Sequence, residues 1–191
     1  DVRVRGALAC GGALRGEGSA VVAEDLEVNG PIHCAKSLQV GGHLVCTEGL
    51  RAGHGIQVGQ SIRSGMHIDA GWGIVAGSDI TGDGAIRAGE CVVSGGSVRT
   101  GTGFSFYAGL SARRDAWSSC GRVVSRTRPA NLLSGIWDCP PGEGLARTAK
   151  CSHRLRLTVE SQAALRDLAH PLASRYEPVP DPRLGDQMPR A

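Results

Sequence analysis

GMHIDAGWGIVAG, residues 65–77, beats in sixes: Gly65, Ile68 and Ala70 are followed by Gly71, Ile74 and Ala76, and then by Gly77. The same beat runs outward from this stretch in both directions. Steps of six from Val2 pass through Leu8, Leu14, Ala20, Leu26, Ile32, Leu38, Leu44 and Leu50, and continue through Ile56, Ile62, Ile68, Ile74, Ile80 and Ile86 to Val92, Val98, Phe104 and Leu110. Only Ala20 breaks the series of large apolar residues. Two places after each member sits a compact residue, such as Val28, Cys34, Val40, Cys46, Ala52, Ser64, Ala70 or Ala88, usually followed by glycine. Residues i and i+2 share one side of a strand, whereas a helix would need i, i+3 and i+4. Each unit therefore predicts a short strand with two inward side chains and a glycine-marked turn. A fixed short period of this kind predicts a β-solenoid, in which each coil leans on the next.

The outward residues are read for coil length. At twelve-residue spacing Arg3, Arg15, Glu27, Gln39, Arg51, Arg63, Val75, Arg87 and Arg99 form one row, and Ala9, Val21, His33, Val45, Gln57, Asp69, Thr81, Val93 and Ser105 form another. A coil of eighteen would mix the two into rows such as Arg3, Val21, Gln39, Gln57, Val75 and Val93. The cleaner separation predicts an all-β fold, a flat two-sided β-solenoid of twelve residues per coil and about nine coils over 1–112. A small α+β C-terminal cap over 113–175 and a Pro-rich tail over 176–191 follow. In the cap, Trp117, Val123, Val124, Leu132, Leu133, Ile136 and Trp137 supply apolar surface to cover the last coil. HRLRLTVE alternates as a strand, and SQAALRDLAH suits a short helix with Ser161 as its N-cap.

Aromatic residues at 4% and 29 glycines in 191 residues fit stacked coils better than an ordinary globular core. No apolar run is long enough to span a membrane, and the opening DVRVRGALAC lacks the pattern of a signal peptide, so no membrane partner is expected. Cys10, Cys34 and Cys46 fall in the inward series as small hydrophobes, which favours a reducing, cytoplasmic setting. On the twelve-residue row Cys34 and Cys46 occupy adjacent coils, where pairing is open to them.

The sharpest candidate site is the arginine row: Arg3, Arg15, Arg51, Arg63, Arg87 and Arg99 as a flat cationic strip suited to carboxylates on a partner protein. Surface charge more often means solvation alone, with arginine stems covering the sheet. Nucleic acid is disfavoured, because the strip has almost no aromatic residues for base stacking and the net charge is only +3. No metal or cofactor is expected. His43 and His67 would stand two coils apart, and Cys120, Cys139, Cys151 and His153 form no CxxC pair. No nucleophile or acid–base pair stands in a recognised motif, so the chain reads as a non-enzyme. Open coil ends are a possible route to self-association.

The run GQSIRSGMHIDAGWGIVAGSDITGDGAIRAG, together with the aromatic segment GFSFYAGL, resembles bacterial Gly-rich six-residue-repeat β-solenoid proteins built from tandem SI-x-A/S-G units. The resemblance covers about residues 50–112 well and the earlier coils more loosely. It implies an immunity protein of a contact-dependent or other polymorphic toxin system, one that binds and neutralises a cognate toxin domain. The alternative is a structural solenoid that stacks end to end into filaments.

Overall fold

The computed structural model describes residues 1–114 and 116–139. Each six-residue unit from Val2–Val4 to Val98–Thr100 forms a three-residue strand. From Leu26–Val28 to Ile86–Ala88 the first and third residues of each strand are buried, with Leu26, Leu38, Leu44, Ile68, Ile74, Ile80 and Ile86 all at 0% exposure. The alternation, and the β-solenoid it builds, are as the sequence reads.

The coil is longer than expected. Strands pair in parallel with the strand three units on, not two: Ile56 lies beside Ile74, Ile62 beside Ile80 and Ile68 beside Ile86. The repeat is therefore about 18 residues, stacked over about 8 turns, and the solenoid has three sides. Face A begins with Val2–Val4, Ala20–Val22 and Leu38–Val40, and continues through Ile56–Val58 and Ile74–Ala76 to Val92–Ser94. Face B runs from Leu8–Cys10 to Val98–Thr100, and face C from Leu14–Gly16 through Leu50–Ala52, Ile68–Ala70 and Ile86–Ala88. The flat two-sided, twelve-residue coil is thus corrected. Its physical flaw was electrostatic: it set Arg51 beside Arg63 and Arg87 beside Arg99, and like charges directly opposite on neighbouring strands repel. In the longer coil Asp69 stands between Arg51 and Arg87.

The corners are held from coil to coil. Asp25 Oδ1 accepts from the backbone N–H of His43 (2.6 Å), Asp79 Oδ1 accepts from that of Ser97 (2.6 Å), and His67 Nδ1 accepts from that of Ala85 (2.9 Å). Each bond joins residues 18 apart and gives a partner to a donor that the strand ladder leaves over. Where the corner is tightest it excludes a side chain. A Cβ on Gly59 would lie 2.0 Å from the Gly41 carbonyl oxygen, and one on Gly77 would lie 2.0 Å from that of Gly59. Glycine is set there by close approach of backbone to backbone.

The beat breaks at 101–105. Gly82 pairs with Thr100, but Ile86 pairs with Phe106, so Phe106 enters the core at 0% exposure. Phe104 and Leu110, read as inward, are 42% and 55% exposed. Beyond this point, Arg122–Val124 and Ile136–Asp138 extend face A, and Leu132–Ser134 extends face C. The described part of the expected cap thus prolongs two sheets, with one short helix at Trp117–Cys120. Among the described residues face B ends at Val98–Thr100, and Arg126 closes the adjoining corner, its backbone N–H and Nε donating to Gly96 O and Gly95 O (2.9 and 3.0 Å). The half-buried Arg122–Asp138 ion pair ties the last two strands of face A. The strand over 153–160, the helix from Ser161 and the tail over 176–191 lie outside the described residues.

Two predictions follow from the stacking. Deleting residues 50–67 removes one whole coil and keeps every later residue on its face, whereas deleting 50–61 turns everything above it onto a different face and breaks the corner bonds. Chemical denaturation should show the longer deletion to be the more stable, and the reverse order would restore a twelve-residue coil. Gly59→Val should cost about 1–3 kcal/mol, because the coil below must move to admit the side chain.

Candidate interaction face

The three-sided coil redistributes the arginine row. Arg3 lies on face A, Arg63 and Arg99 on face B, and Arg15, Arg51 and Arg87 on face C. No single strip contains all six, which corrects the expected site. On face B the outward row reads Glu27, Val45, Arg63, Thr81, Arg99, and on face A Val21, Gln39, Gln57, Val75, Val93.

Face C concentrates what remains. Its outward row reads Arg15, His33, Arg51, Asp69, Arg87, Tyr107 in strand register. The cations come at every second coil, roughly 10 Å apart at the usual strand spacing. Arg15, His33, Arg51 and Arg87 are exposed, and Asp69 is half-buried. Among the described residues the three guanidinium groups make no hydrogen bond or ion pair: the ion pair present is Arg122–Asp138, far from this row in sequence.

Apolar and aromatic side chains border the same face. Among the described residues the exposed large hydrophobics are Val2, Met66, Phe104, Leu110 and Leu133. Met66 and Phe104 stand on the corner that leads into face C, where His67 meets the Phe104 ring edge-on at 5.5 Å. Leu133 is bulged out of the pairing that joins Phe106 to Leu132 and Tyr107 to Ser134. On the corner leaving face C, His54 and Trp72 stack at 4.0 Å with rings 2° from parallel. Sequence reading missed this rim, although the spacing of His54 and Trp72 by one coil is visible once the coil length is right.

Other candidates give weaker chemistry. The Ser61 hydroxyl and His43 Nδ1 lie 2.7 Å apart, a nucleophile–base distance, but the Asp25 carboxylate binds the backbone of His43 and not its ring. The third member of a triad is therefore occupied in building the corner. Among the described residues no group of three His, Cys, Asp or Glu side chains could hold a metal, and no helix is long and apolar enough to cross a membrane.

Cys34 lies on face C and Cys46 on face B, so the two do not stack, and both are free thiols, as are Cys10 and Cys120. Cys91 is disulfide-bonded. Burial raises the pKa of Cys34 and of Cys46, the latter opposed by a hydrogen bond with Ser64. Both thiols should consequently resist alkylation near neutral pH, and modification kinetics followed by peptide mass spectrometry should show half-buried Cys10 and Cys120 modified at least tenfold faster. Comparable rates would mean that the lower coils open readily.

Comparison of the chain with protein-family models, with curated proteins and with solved structures finds no match.

Proposed function

We propose that the chain is a non-enzymatic protein-binding solenoid that meets an acidic surface of its partner with face C, in the manner of an immunity protein blocking a toxin domain. One observation carries the reading: Arg15, Arg51 and Arg87 stand exposed in register on one face, without partners among the described residues. The rim of Met66, Phe104 and Leu133 supplies apolar contact beside that charge, the mixture in which protein interfaces differ from solvated surface. A rigid sheet presenting its cations in a fixed line loses little entropy on docking. The immunity class rests on the resemblance of the repeat and not on the face itself. The free Cys10, Cys34 and Cys46 suit a cytoplasmic setting, whereas the disulfide at Cys91 suits an oxidising one.

A second reading is end-to-end association, since an uncovered terminal coil of any solenoid offers unpaired strand edges to another chain.

Affinity capture from the native host, read by mass spectrometry and sizing, should return one stoichiometric protein partner. Arg51→Glu with Arg87→Glu should then weaken that complex by about tenfold or more, while Arg63→Glu with Arg99→Glu on face B changes it less than about threefold. Equal losses from the two pairs would remove face C from the proposal. Concentration-dependent polymers with no captured partner would favour end-to-end association.

A further inference from the structure

Face C has a period as well as a charge. Its rungs, Arg51, Asp69 and Arg87, are held in register at one coil each, about 4.8 Å apart along the stack. An α-helix advances about 5.4 Å per turn. A helix laid along the stacking direction therefore presents about one turn to each coil. Over the two coils from Arg51 to Arg87 the face advances about 9.6 Å, against about 10.5 Å for seven helical residues. The difference of roughly 1 Å is within the reach of an arginine side chain. An extended strand places same-side residues about 6.8 Å apart and falls out of step with the rungs at once.

From this match, and resting on the reading of face C as the partner surface, we propose that face C receives an amphipathic α-helix of the partner, laid along the solenoid axis at one turn per coil. The row specifies the charges of that helix. Arg51 and Arg87 call for carboxylates seven residues apart, and Asp69 between them calls for a lysine or arginine three or four residues after the first. The next turn meets Tyr107, with Phe104 and Leu133 near it on the rim, and calls for an apolar residue. Asp69 also separates this occupant from a polyanion, since a phosphate backbone would pass directly over a carboxylate.

The test uses the full 191-residue chain and stapled helical peptides of about eighteen residues, read by fluorescence anisotropy. One peptide carries Glu, Lys and Glu at i, i+4 and i+7 with Leu at i+11, and a control of the same composition has these positions scrambled. The matched peptide should bind at least tenfold more tightly than the control. Asp69→Lys should reverse the central preference, so that a peptide with Glu at i+4 becomes the better ligand by a similar factor. Asp69→Asn, which places no new charge on the sheet, should abolish the preference for Lys over Glu at i+4. Equal binding of matched and scrambled peptides, or tighter binding of an eighteen-residue single-stranded DNA, would overturn the helix. If partner capture still depends on Arg51 and Arg87 in that event, face C stands and only its occupant is wrong. If capture is indifferent to both arginines, the underlying reading fails as well.

Discussion

The parallel hydrogen-bond ladder between coils is the constraint on which the rest of this molecule depends. It fixes which residue lies over which, and everything outside the core follows from that assignment. The inward rows would look alike for a coil of two units or of three, because every unit offers one large and one compact apolar side chain. The ladder selects three, placing Ile56 on Ile74 and Asp69 between Arg51 and Arg87. A coil of two would have aligned cations over cations on the outer surface, with only solvent to separate them.

What the sequence made legible is the part with the shortest wavelength. Strand, inward pair and corner recur every six residues, and the buried isoleucines and leucines stand where the beat puts them. Coil length is carried elsewhere, in polar residues that act once per turn. Asp25, His43 and Ser61 form one corner column, joined by the bonds from Asp25 to the His43 backbone and between His43 and Ser61. The stack of His54 on Trp72 is another such signal. Sorting outward residues by similarity obscured these columns, since Asp69 belongs between Arg51 and Arg87 by opposite charge and not by likeness. The failure at Phe104 has a different origin. Inserted residues at 101–105 shift the register, and Phe104 and Phe106 are chemically equivalent candidates for one core position. Of the six arginines in the expected strip, three share a face, and that division could not be drawn before the coil length was known.

The same separation of roles explains how the surface can vary without disturbing the stack. Core rows need only size and apolarity, and corners need small residues or a carboxylate that reaches the next backbone N–H. The residue in the middle of each strand answers to neither demand. Face A could spend those positions on Val21, Gln39, Gln57 and Val75, and face C on Arg15, His33, Arg51, Asp69 and Arg87, over one and the same scaffold.

The upper part of the described stack is stepped. Faces A and C climb past Val98–Thr100, whereas among the described residues face B goes no further, and its neighbouring corner is closed by Arg126. A staircase of this kind breaks the translational sameness of the coils: below it one rung can stand in for another, and above it each strand meets surroundings of its own. A slip by one whole coil would leave Phe106 and Val123 without the neighbours they have here, so the irregular strands fix the count of the regular ones.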